Sequence, residues 1–180
     1  MKKILVGFLG VLSAISLAGC AGSGQSLEKL STESAPDADT IKASDYANNL
    51  EGLEKYLTAL NYIPKEAQAT EMLSNVIGAK SGHRYNFIVD NATVIVELYE
   101  YDTDNIGEEG KRVIDEVKKN GEFYVFGEDT KLDGNEAYLA DLSDNGKYLL
   151  IYTDTSTDIS NVQRKADFTE KVKAFYKNEE

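Results

Sequence analysis

The sequence predicts an α+β domain, with helices packed on a mainly antiparallel sheet of about five strands in the order ααββαβββα. Three observations predict it. Two stretches read as β-hairpins, 85–101 around Asp90-Asn91 and 136–153 around Ser143-Asp144-Asn145-Gly146. Beside them lie segments whose apolar residues recur every three or four positions, the period of a half-buried helix. The chain has one cysteine in 180 residues, so a hydrophobic core rather than disulfides has to hold the domain together.

The first helix is expected to start on Ser44 as its cap. Its apolar residues Tyr46, Leu50, Leu53, Leu57 and Leu60 form one face, and Glu51 and Lys55 pair on the outside. Asn61 and Pro64 end it. A shorter helix is expected from Thr70, burying Met72, Leu73, Val76 and Ile77 and stopping at Gly78. After a Lys80-Ser81-Gly82 turn, the first hairpin pairs 85–89 with 93–101. Val94, Val96 and Leu98 share one face of its second strand, and Ile95, Glu97, Tyr99 and Tyr101 share the more polar one. A helix over 106–119 buries Ile106, Val113, Ile114 and Val117, with Glu108–Arg112 and Asp115–Lys119 as outer pairs and Gly121 as its end. A short strand at 123–126 leads to the second hairpin, 136–142 with 147–153. Its run Tyr148-Leu149-Leu150-Ile151-Tyr152 is apolar on both faces, as a central covered strand requires. The last helix, 158–177, is expected to turn Ile159, Val162, Ala166, Val172 and Phe175 inward.

The N-terminus is of another kind. Met1-Lys2-Lys3 is cationic, and residues 4–17 are apolar or small without one charge. These are the first two regions of a secretory signal, too short to remain as a spanning helix. The run ends in Leu17-Ala18-Gly19-Cys20, which resembles the lipobox of bacterial lipoproteins. The resemblance implies Leu17, Ala18 and Gly19 as the signal-peptidase recognition run, and Cys20 as a diacylglyceryl-modified, membrane-anchored N-terminus. Two acyl chains, at about 0.8 kcal/mol per buried CH₂, anchor a protein stably where one does not. Lipidation would also remove the lone thiol of an exported chain.

The division that follows is 1–19 signal peptide, 20–42 lipidated N-terminus and flexible tether, and 43–180 a single folded domain. The tether is rich in Gly, Ser, Ala, Thr and Asp, too poor in large apolar residues to offset the entropy of ordering. Two of the 19 basic residues, Lys2 and Lys3, leave with the signal, so 17 face 31 acidic side chains, and 17 − 31 = −14. Such a surface is repelled by nucleic acid and by anionic headgroups, which leaves the acyl chains as the expected membrane contact.

The search for chemistry narrows quickly. His83 is the only histidine, flanked by Gly82 and Arg84, and reads as a solvated loop residue. It has no zinc signature around it and no triad partners in evident spacing. The stretch 102–107 matches positions one, three and six of an EF-hand loop. Ile106 stands where an oxygen ligand belongs, however, and Val113 where the bidentate Glu belongs. What survives is a weak, irregular cation site at Asp102, Asp104 and Glu108, against the simpler reading of Asp104 as a helix cap with Glu108 in the first turn. Tyrosine is the enriched aromatic, eleven against six Phe and no Trp. Tyr99 and Tyr101 are a candidate contact patch for a protein or glycan, or else shield a helix-covered sheet. No phosphate loop, dinucleotide fingerprint or CxxC is present, so no cofactor is expected.

A lipobox, a short tether and one small α+β domain together resemble the small surface lipoproteins of Gram-positive bacteria. The resemblance implies display at the cell membrane, facing the extracytoplasmic side, without implying an activity. The leading expectation is a non-enzymatic module that binds or scaffolds an envelope protein or cell-wall component. The rival is a hydrolase of an envelope polymer using acidic residues.

Overall fold

The computed structural model describes residues 27–30, 40–128, 130 and 135–177. Its fold is α+β, a mainly antiparallel sheet with helices on both faces. The sheet is built on the first hairpin, β3 (Ser81–Val89) and β4 (Ala92–Glu100), paired from Ser81↔Glu100 to Val89↔Ala92. Its two-residue turn puts Asp90 at φ 46° and Asn91 at φ 68°. That left-handed pair matches the twist of the strands and suits Asp and Asn side chains. The expected Lys80-Ser81-Gly82 turn is instead the start of β3. Gly82 is required there, because a Cβ would fall 2.3 Å from the ring of Tyr99 lying across it.

Beyond β4 lies β8 (Tyr148–Asp154), antiparallel to it from Val94↔Asp154 to Glu100↔Tyr148, and then the short β7 (Asp141–Leu142). Tyr148 to Tyr152 are all buried, as the unbroken apolar run requires. The strand expected over 136–142 is divided. β6 (Ala137–Leu139) leaves to pair with β5 (Glu122–Tyr124) in a separate ribbon, while β7 stays with the main sheet. The break falls at buried Ala140, whose N–H donates to Gly121 O at 3.0 Å.

On the outer edge of β3 sit β2 (Thr70–Glu71), antiparallel against Arg84 and His83, and β1 (Glu28–Lys29), parallel against Phe87 and Ile88. Both depart from the sequence reading. The helix expected from Thr70 is a strand followed by a 3₁₀ turn, Ser74–Ile77, closed by Gly78 at φ +67°. A segment this short makes a marginal helix, and its backbone bonds are better used on an open strand edge, where Met72 N–H donates to Gly82 O at 2.9 Å. Ile77 is buried as expected, but Leu73 and Val76 are exposed. β1 falls inside the stretch expected to be tether. Leu30 N–H donates to Ile88 O, and the Leu30 side chain is buried in the main core, so one strong apolar residue suffices to dock the segment. Residues 31–39 lie outside the described residues.

One face of the sheet is covered by α1 (Leu50–Ala59) and α3 (Ile159–Ala174). The core between them joins Leu53, Leu57, Phe87, Val96, Leu150 and Phe168. The helix begins later than the Ser44 cap predicts. Asn49 caps it, accepting from Gly52 N–H at 2.8 Å, while Ser44 lies in a preceding 3₁₀ turn. The chain folds back so closely over the first turn that a Cβ at Gly52 would sit 1.8 Å from Ala47 O. Glu51 and Lys55 pair as expected, at 2.6 Å. The buried stripe of α3 is Asn161, Phe168 and Val172, with Phe175 following. Ile159, Val162 and Ala166 face out, contrary to expectation. Polar anchors set this rotation. Asn161 donates to Asp154 Oδ2 at 3.1 Å, and Arg164 stacks on Tyr62 while donating to the carbonyls of Asn61 and Tyr62.

The other face is covered by α2 (Glu108–Asn120) and the β5–β6 ribbon, over Ile77, Tyr99, Tyr101, Val113, Val117 and Ile151. Gly121 ends α2 at φ +72°. Arg112 pairs with Glu109 and Glu116 rather than with the expected Glu108. Glu116 also accepts from Tyr124 N–H at 3.1 Å and so ties α2 to β5. Among the described residues no helix is long and apolar enough to cross a membrane.

Candidate functional site

Among the described residues, three carboxylates are buried along one end of the sheet: Glu54, Glu97 and Glu100. Burying a charge is costly unless it is paired and hydrogen-bonded, so their partners show what each does. Glu100, the last residue of β4, accepts from Leu50 N–H at 2.8 Å and from Lys80 Nζ at 3.2 Å, with Lys147 Nζ at 3.5 Å. It receives the positive end of α1 and clamps that helix to the sheet. Glu97 lies on the α2 face. Its Oε1 accepts from Arg84 Nε and Nη2 at 2.9 and 2.6 Å, and its Oε2 accepts from the Tyr99 hydroxyl at 2.7 Å. Burial together with the Glu97 charge pushes the Tyr99 phenol far above its ordinary range.

Glu54 is on α1 and faces β3. Its Oε1 lies 2.6 Å from His83 Nδ1, and the Tyr85 phenol is held against the same carboxyl, with burial pushing that phenol up. Burial raises the Glu54 carboxyl above the usual carboxylate range, and the contact with His83 pulls the other way. His83 is therefore a strand residue with a fixed partner, not the expected loop residue, and its side chain remains about one third exposed, at 32%. A carboxylate that orients an imidazole is one half of a general-base arrangement. The partner found for the His83 side chain is Glu54.

The residues singled out from sequence fall as follows. Leu17, Ala18, Gly19 and Cys20 lie outside the described residues. Tyr99 and Tyr101 do not form a contact patch. Tyr101 is 0% exposed, its hydroxyl donating to Ile77 O at 3.3 Å, and Tyr99 is buried beneath the same cover. The face taken as the more polar one is closed by α2 and the 3₁₀ turn, which two-sided burial of the sheet demands. Asp102, Asp104 and Glu108 do not converge. Among the described residues no three His, Cys, Asp or Glu side chains could hold one metal ion. The Asp102 carboxylate instead accepts from the backbone N–H groups of Asp104 and Asn105, each at 3.3 Å. Nor does Asp104 cap α2, since Gly107 takes that position without a side-chain bond.

Sequence reasoning missed the buried carboxylates, and one of them had a signal. Glu54 lies in the stripe Leu50, Leu53, Glu54, Leu57, spaced as the inward face of a helix, where an acid needs a partner. Compared with protein-family models, with curated proteins and with solved structures, the chain matches none. The class that the structure defines is an α+β domain with paired buried carboxylates along its sheet.

Proposed function

We propose that the chain is a lipid-anchored extracytoplasmic lipoprotein whose domain binds or scaffolds an envelope protein or cell-wall component. The observation that carries this reading is the uncharged apolar run 4–17 ending in Leu17-Ala18-Gly19 before the chain's only cysteine, Cys20. Two features of the domain support a binding rather than a catalytic role. The buried carboxylates Glu97 and Glu100 are engaged by Arg84 and Tyr99 and by Lys80, Lys147 and the start of α1, and so serve the fold. Ile159 at 84% exposure and Val162 at 53% leave an apolar stripe on α3, suited to a partner surface rather than to a solvated helix.

The anchor is tested by Cys20→Ala. Fatty-acid labelling of the protein is expected to vanish, and the chain should leave the membrane fraction or accumulate uncleaved. Unchanged lipid incorporation refutes the anchor. The binding role is tested by cross-linking from position 162 in native membranes. No reproducible cross-linked envelope component, together with turnover of a wall polymer by the purified domain, would instead favour the hydrolase. Glu54 and His83 would then be its first candidates.

A further inference from the structure

The direction of β1 and the length of chain before it fix how the domain meets the bilayer. β1 is parallel to β3, with Glu28 opposite Phe87. Leu27 is therefore level with Asn86, and the preceding chain enters from the Ser81 end of the sheet. Cys20 is seven residues before Leu27, a reach of at most ~25 Å. From the level of Asn86 back to Ser81 is about 17 Å at ~3.3 Å per residue. Fully extended along the line of β1, Cys20 clears that end of the domain by only about 8 Å, roughly one Debye length at physiological salt. If the chain leaves at an angle, the bilayer comes closer to the β1–β2 edge instead.

That end and edge carry exposed apolar residues. Leu73 is 66% exposed, Leu27 38% and Val76 37%. Met72 N–H bonds Gly82 O, which sets Leu73 beside the start of β3, and Ala79 N–H bonds Ser74 O, which folds the 3₁₀ turn against the same end. Lys80, with 59% of its side chain exposed, stands beside them, and Glu71 and Glu28 lie along the same edge. The opposite end holds the Asp90-Asn91 turn and the start of α3, since Thr155 N–H bonds Thr93 O and Asn161 bonds Asp154.

We infer that the exposed Leu73 and Val76 at the Ser81 end seat on the lipid interface, with the Asp90-Asn91 turn and the N-terminus of α3 pointing away from it. The inference rests on Cys20 being the lipid anchor and adds the domain's orientation to that reading. The acidic net charge favours standing off an anionic bilayer, but the reach from Cys20 limits that clearance to about one Debye length, within which the exposed apolar side chains meet the headgroups. Apolar side chains at such a contact sit ~5–10 Å into the headgroup boundary. The arrangement leaves Ile159 and Val162 free for a partner outside.

The test uses the full lipidated chain in vesicles of phosphatidylcholine and phosphatidylglycerol. Cys20 is the only cysteine, so Leu73→Cys and Asn91→Cys each add one labelling site once Cys20 is acylated. Both positions are solvent-exposed, so neither substitution reaches the core, and the strain of Cys at the left-handed position 91, about 1 kcal/mol, is confined to the turn. An environment-sensitive fluorophore at 73 is expected to shift to the blue and to be quenched by nitroxide lipids. The same dye at 91 should show neither effect. Equal, water-like signals at both positions overturn the orientation, as does quenching at both or at 91 alone. If the unsubstituted chain does not associate with the vesicles, the anchor fails and this inference falls with it.

Discussion

Replacing Glu100 separates the two contributions that clamp α1 to the sheet. Glu100→Ala strands the buried Leu50 N–H, which donates to Glu100 Oε2 at 2.8 Å, and an unpaired buried donor costs about 1–3 kcal/mol. It also removes the carboxylate 3.5 Å from Lys147 Nζ, which keeps its bond to Asn48 O and has 22% of its side chain exposed. The pair with Lys80 adds little, because that lysine is 59% exposed and its ion pair is screened. With the void left by truncation the total is about 3–5 kcal/mol, the range for breaking a buried pair. Glu100→Gln keeps an oxygen for Leu50 N–H and loses only the charge, for about 1–2 kcal/mol. The assay is equilibrium urea unfolding followed by far-UV circular dichroism and by tyrosine fluorescence, since the chain has eleven Tyr and no Trp. At a slope of about 2 kcal/mol per M, the midpoint should fall by ~1.5–2.5 M for Ala and ~0.5–1 M for Gln. If the two variants agree to within about 0.5 kcal/mol, with slopes unchanged, the carboxylate is not what satisfies the start of α1.

Two further outcomes follow from the same geometry. Gly78 and Gly121 have similar positive φ, +67° and +72°, but a Cβ at Gly78 would lie 2.3 Å from Gly110 N, whereas nothing lies within 4 Å at Gly121. Gly121→Ala should therefore cost about 1 kcal/mol from backbone strain alone. Gly78→Ala should exceed it by ~1–3 kcal/mol as the 3₁₀ turn is forced off α2, and equal losses in thermal unfolding would show that the close approach is not maintained. Glu54 titrates above the usual carboxylate range because it is buried, so the fold favours its neutral form. Its contribution is full below the ordinary carboxyl pKa and is lost as pH rises through the raised one. Glu54→Gln should consequently be more stable than the parent near neutral pH, with the gain shrinking on acidification. A gain that grows toward low pH would contradict this sign.

Local pattern was a good guide where one element's own residues decide its state. The Asp90-Asn91 hairpin needs two left-handed residues between alternating strands, and both requirements are written in adjacent positions. The covered strand 148–152 and the end of α2 at Gly121 are of the same kind. The pattern misled where a neighbour distant in sequence decides. Thr70 and Glu71 have helical company, yet the vacant edge of β3 takes them as strand. Ile159 and Val162 look like inward residues, yet the bonds from Asn161 to Asp154 and from Arg164 to the carbonyls of 61 and 62 turn α3 so that they face out. Among candidate site residues, the buried carboxylates were hidden because an acid in sequence carries no mark of the partner that will neutralise it.

What the sequence by itself determined is therefore the α+β class, the first hairpin, the central strand and the helix ends set by glycine. All of these follow from φ preferences and from a hydrophobic period read over a few residues. Only the tertiary structure decided that Leu30 ties the supposed tether into the core, that Tyr99 and Tyr101 lie under α2, and that Glu54, Glu97 and Glu100 are matched by His83, Arg84 and the start of α1. Those outcomes depend on which surfaces meet across long stretches of chain, where burial and pairing outweigh any local preference.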